Sequence, residues 1–133
     1  MKTYAQVERM LELITDQVPQ ELYRDLSGGV ILSESVKLHP NSIPQRPLYI
    51  MGEYQNQITG RLIVIYFGSF NVVYGALPDD DFFEKLRHVF AHELRHHVEM
   101  LSGVKDLERF DDERFGRYIA GVDITEFHEP PIA

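Results

Sequence analysis

The sequence predicts an α+β domain, and two changes of hydrophobic period carry that prediction. Apolar residues recur three or four apart at the start of the chain (Tyr4, Val7, Met10, Leu11, Ile14, Val18) and again from Asp79 to Gly103. Between these stretches the chain is rich in β-branched and aromatic residues, broken by Gly, Pro and Asn, which reads as short strands. A small sheet with helices packed on it satisfies both patterns. At 133 residues the chain has the size of one domain with a sizeable core, and it shows no repeat, linker or low-complexity segment.

Residues 3–18 make the N-terminal helix, which Pro19 ends. Residues 20–26 add another helical turn or two, with Gly28-Gly29 as the stop. VILSESVKLH then reads as a strand leaving toward a Pro-rich loop, His39 to Pro47. LYIMGEYQ, 48–55, is a second strand, and RLIVIYFG, 61–68, a third. The third is nearly continuous in apolar residues, as a strand buried on both faces should be. FNVVYG, 70–75, continues it or forms a fourth, giving three to four strands. Pro78 and the Asp79–Asp81 carboxylates suit the positive end of the long helix that follows. A shorter C-terminal helix is expected over roughly 106–120, and the Pro-containing tail TEFHEPPIA along the surface.

Composition narrows the function classes. The formal net charge is −8, which argues against nucleic acid and against anionic membrane surfaces as partners. There is no cysteine, so disulfides, thiolate nucleophiles and Cys-type zinc sites are excluded, and any zinc site must use His, Asp or Glu. The N-terminus lacks the apolar core of a signal peptide and no later run would span a bilayer, so the cytoplasm is the expected compartment.

The chemistry is concentrated in DDDFFEKLRHVFAHELRHHVEMLSG. A helix turns about 100° per residue, so His88, His96 and Glu99 fall within about 40° of His92. Phe83, Leu86, Phe90, Leu94, Val98 and Leu101 cluster on the opposite side. Two neutral imidazoles one turn apart can aim a nitrogen each at one Zn²⁺, at about 2.0–2.1 Å. Glu93, about 100° off that stripe, is poorly placed to ligate the ion but well placed to hold and deprotonate a water bound to it. The bland alternative is a solvated or pH-sensing histidine face. Four histidines within ten residues (His88, His92, His96, His97), three of them on one face, weigh against it.

With HELRHH following a small sheet, the chain resembles the zincin-like metallopeptidases, and most of all the short single-domain bacterial zincins. LSGGVILSESVKLHP, LYIMGEYQ, GRLIVIYFGSF and HELRHHVEMLSGVKDLE carry the resemblance, from about Pro19 to Asp112. It implies an N-terminal helix, a short mixed sheet and a helix bearing two zinc histidines, in one domain over residues 1–133. Two features depart from the pattern. Arg95 stands where the usual zincin sequence is uncharged, and Glu99 stands where H-H-x-G-x-x-D has its Gly. Gly103-Val104-Lys105-Asp106 supplies a G-x-x-D one turn later. The third ligand is therefore Glu99, which needs no turn in the chain, or Asp106, which needs Gly103 to end the helix. His88 and the Asp111-Asp112-Glu113 cluster are weaker candidates.

The reading is a zinc-dependent metallopeptidase with His92 and His96 as ligands and Glu93 as catalytic base. Tyr118, Tyr74 and Arg95 are candidates for an oxyanion donor, and NVVYG for a sheet edge on which a peptide or protein substrate lies as an added strand. The rivals are a non-catalytic metal-binding module and an acidic interaction domain. Only about thirty residues follow Gly103, so a shallow cleft is expected, with a protein partner to complete it.

Overall fold

The computed structural model describes residues 1–102. Thr3 opens the first helix, α1 (Tyr4–Asp16), with a reciprocal cap. Its hydroxyl accepts from the Gln6 backbone N–H, while the Gln6 side chain accepts from the Thr3 backbone N–H. Val7, Leu11 and Ile14 form the buried stripe of α1. After Pro19 a 3₁₀ turn, Gln20–Tyr23, buries Leu22. Asp25, at φ 62°, then turns the chain into the sheet from a left-handed conformation that aspartate tolerates.

The strands among the described residues are β1 (Gly29–Ser33), β2 (Lys37–Leu38), β3 (Tyr49–Ile50), β4 (Gly52–Gln57) and β5 (Gly60–Tyr66). β5 is central, parallel to β1 and antiparallel to β4, so the three-stranded sheet is mixed, in the order β1-β5-β4. β2 and β3 form a separate antiparallel ribbon. The second half of β5 is buried from Ile63 to Tyr66, as its apolar run predicts.

Three strand expectations need correction. Residues 30–39 form two strands, because the chain leaves the line of β1 at Ser33, whose hydroxyl accepts from the Ser35 N–H at 3.2 Å. The Lys37 N–H then bonds Ser69 Oγ at 2.9 Å, which starts the ribbon on its own course. Residues 48–55 divide likewise at Met51, β3 serving the ribbon and β4 the sheet. The third correction is larger: FNVVYG is no strand but part of a second helix, α2 (Phe67–Tyr74). Phe67, Phe70 and Tyr74, three and four apart, turn toward the core, and the ring of fully buried Phe70 packs at a tilt against those of Tyr74 and Phe82. Val72, on the other side of α2, is half exposed. Gly68 permits the bend, since a Cβ there would come within 2.7–2.8 Å of Val36 and of the Glu34 and Ser35 backbone.

The long helix, α3 (Asp79–Ser102), carries three aspartates in its first turn. Its buried face is Phe82, Leu86, Phe90, Leu94, Val98 and Leu101, as expected except that Phe82 rather than Phe83 is the fully buried first member. These side chains meet α1, the 3₁₀ turn and β5 in one core. The fold is thus α+β, with an N-terminal helix, a mixed sheet and the long helix. The expected C-terminal helix over 106–120 lies outside the described residues. No helix among the described residues is long and apolar enough to cross a membrane.

One polar cluster joins the ribbon to the sheet. Lys37 on β2 donates to the Glu53 carboxylate on β4, and the Tyr66 hydroxyl at the end of β5 donates to the same oxygen. Burial alone would push Glu53 up, but the bonds from Lys37 and Tyr66 outweigh it and hold the carboxyl below its ordinary 4.5. The bond to Glu53 raises Lys37 above its ordinary 10.5. The Glu53 contribution to stability is therefore present above pH 4.5 and disappears as pH falls through the lowered folded value. That of Lys37 is present below 10.5 and disappears as pH rises through its raised value. Urea denaturation of the native chain and Glu53→Gln should show a stability gap that is constant near neutrality and closes in acid. A gap that stays the same in acid would contradict this assignment.

Candidate metal centre and cleft

Core packing fixes the rotation of α3 and so decides where its histidines stand. His92 is half-buried and His96 exposed, one turn apart. Their Nε2 atoms approach to 3.2 Å, with the rings nearly perpendicular at 86°. Two nitrogens at about 2.0–2.1 Å from one tetrahedral ion stand roughly 3.3–3.4 Å apart. The separation of the two nitrogens is close to that value. Among the described residues no group of three or more His, Cys, Asp or Glu gathers around a common point.

Glu93 belongs to a neighbouring face. It is 8% exposed and lines a cleft of about 620 Å³ between β4 and α3. Gly52, Glu53 and Tyr54 form the strand side of this cleft, and Glu93, His96 and Glu99 the helix side, with Ile50 and Met100 adding apolar surface. Burial pushes the Glu93 carboxyl up to about 7, helped by the charge of Glu53 and opposed by a hydrogen bond from the Tyr54 backbone N–H. Of the two paired imidazoles, His96 lines this cleft with Glu93 and His92 does not.

The remaining sequence candidates separate. Glu99 reaches the cleft, yet its carboxylate accepts from Arg95 Nε at 3.1 Å. Arg95 is thereby committed to Glu99 on the exposed side of α3. His88 is buried, one turn before His92, and does not line the cleft. Tyr74 lies in α2 against Phe70, with Lys85 over its ring, and the cleft lining does not include it. Asp106, Asp111, Asp112, Glu113 and Tyr118 lie outside the described residues. The edge assigned to NVVYG is corrected by α2: the strand beside the cleft is β4, at the outside of the sheet.

Sequence reasoning missed β4 as the cleft wall, and with it Gly52, Glu53 and Tyr54. The alternation in GEYQ marks a strand but not which strand is outermost. Gly52 offered the only local hint. A Cβ there would lie 3.0 Å from Val89 Cγ1 and 3.2 Å from Ile65 Cδ1, so glycine sets how closely β4 approaches α3. His97, the one of the four histidines not placed on the shared face, is fully buried among Tyr54 and the Arg24 backbone.

No protein-family model matches the chain, and no curated protein matches it either. Among solved structures, a conserved hypothetical protein (TTHA0227) from Thermus thermophilus is similar, with a TM-score of 0.64 and 30% identity. The similarity covers 76% of this chain and 98% of that one. A likeness of that extent and identity makes the two chains members of one family, that of the Thermus conserved hypothetical protein.

Proposed function

We propose that this chain is a zincin-like metallopeptidase that hydrolyses peptide bonds with zinc. The observation that carries the reading is the 3.2 Å approach of His92 Nε2 to His96 Nε2, beside the buried Glu93 carboxyl that faces a cleft. His92 and His96 would hold the ion with Glu99 as third ligand, released from Arg95, or with Asp106 as the alternative. Bound zinc would supply Lewis acidity to a scissile carbonyl and acidify a water.

The chain's own groups supply the rest. Glu93 takes the proton of the attacking water and passes it to the leaving amine. Its partial burial keeps bulk water from solvating the carboxylate and leaves it basic enough to accept that proton. An extended peptide lies along β4, which has no strand on its outer side among the described residues. The apolar side chains of Ile50 and Met100 line the same cleft and give it a non-polar portion for one substrate side chain.

Glu93→Gln should retain zinc, by metal analysis of untagged protein, while cleavage of a quenched fluorogenic peptide library falls by roughly 10²–10⁴-fold. Equal turnover by both proteins would remove Glu93 from the chemistry. Glu99→Ala is expected to weaken zinc binding by roughly tenfold or more, with Asp106→Ala near the native value, in a competition titration against a chromogenic chelator. The reverse pattern would transfer the third position to Asp106.

A further inference from the structure

The residue after the second histidine of the pair has no place in the mechanism above, yet it is more deeply buried than either ligand. His97 has 0% exposure, and both its ring nitrogens are engaged. Nε2 lies 2.7 Å from the Arg24 carbonyl oxygen, which can only accept, so Nε2 carries the proton and donates it. Nδ1 is then the acceptor, 2.8 Å from the Tyr54 hydroxyl, which donates to it. The Tyr54 and His97 rings also lie 5.4 Å apart, centroid to centroid. One side chain of α3 is thus fixed at one end to the backbone after the 3₁₀ turn and at the other to β4.

Tyr54 occupies the position on β4 that matters for the cleft. Its backbone N–H bonds the Glu93 carboxyl, and the residue itself lines the cleft opposite His96. Two residues earlier Gly52 allows the strand to lie against Val89 of α3. Close approach is permitted by the glycine, but a glycine contact does not hold a strand in register along the helix. The directional bond from Tyr54 to His97 does.

We propose that His97 is a positioning residue: through the Tyr54 hydroxyl it holds the β4 edge at a fixed height above the His92–His96 turn, and so sets the seat of an extended peptide relative to the metal. The inference rests on the metallopeptidase reading for what the seat is used for. The strut itself rests only on the chain of hydrogen bonds that runs from Arg24 through His97 and Tyr54 to Glu93. His97 touches neither substrate nor ion, and it acts through Tyr54 alone. The consecutive histidines in HELRHH thereby divide two tasks, His96 for the ion and His97 for the strand.

The test compares the native chain with His97→Gln, Tyr54→Phe and Val7→Ala, the last a core variant on α1, away from the strut. Two ligands are titrated into the zinc-loaded proteins: acetohydroxamate, which reaches only the ion, and a dipeptidyl hydroxamate, whose backbone must also lie on β4. His97→Gln and Tyr54→Phe should each weaken the dipeptidyl ligand about tenfold and leave acetohydroxamate within about twofold, and combining them should add nothing further. Val7→Ala should leave both affinities near native. Equal loss of both ligands in His97→Gln, or the same selective loss in Val7→Ala, would overturn the proposal. Amide hydrogen exchange of the metal-free proteins reads the strut without the ion. Exchange across residues 52–56 should rise about tenfold in both strut variants and no more than the global average in Val7→Ala. If native protein fails to bind acetohydroxamate, the metal reading fails alone, and unchanged exchange in His97→Gln sinks the strut.

Discussion

The rotation of α3 about its own axis is the constraint from which the rest of the site follows. Phe82, Leu86, Phe90, Leu94 and Val98 are all buried on one side of it. Fully burying each such side chain is worth about 1.5–3 kcal/mol, so turning the helix by one residue's angle would forfeit on the order of 10 kcal/mol. A contact between two partly solvated imidazoles is worth about 1 kcal/mol. The histidine stripe therefore does not choose its own direction. The core chooses it, and residues four apart on the other side converge because helix geometry brings them there.

The second constraint is the distance between α3 and β4. The chain controls it by a missing side chain at Gly52 and a directed hydrogen bond from Tyr54 to His97. The polar cluster of Lys37, Glu53 and Tyr66 braces the same strand from the ribbon side. Glu93 thus faces a wall made of several independently anchored residues. Its carboxyl is kept largely from solvent while a cleft still reaches it. Burial and access are usually opposed, and the edge position of β4 reconciles them here.

Much of this was legible in the sequence, for identifiable reasons. The helices with three-and-four spacing, Tyr4–Asp16 and Asp79–Ser102, stand where their period put them, because a long amphipathic pattern admits few other solutions. The apolar run of β5 likewise marked the central strand. FNVVYG was misread because valine pairs favour strands locally, whereas Phe67, Phe70 and Tyr74 found the core as a helix. The candidate site divides in the same way. The one-turn spacing of His92 and His96 is legible within one helix, but Tyr54 and Gly52 come to line a cleft with Glu93 and His96 from a distant part of the chain, and no local period reports that contact. Spacing sets His97 about 140° from His92, toward the apolar side of the helix, but it does not name the partners that hold it there.

The direct measurement is X-ray anomalous scattering across the zinc absorption edge, on crystals of the untagged chain grown with zinc. The account predicts one strong anomalous peak within about 2.0–2.1 Å of both His92 Nε2 and His96 Nε2, with Glu93 close by but not ligating. A peak elsewhere with those imidazoles still hydrogen-bonded to one another, or a peak ligated by Glu93 itself, would contradict it.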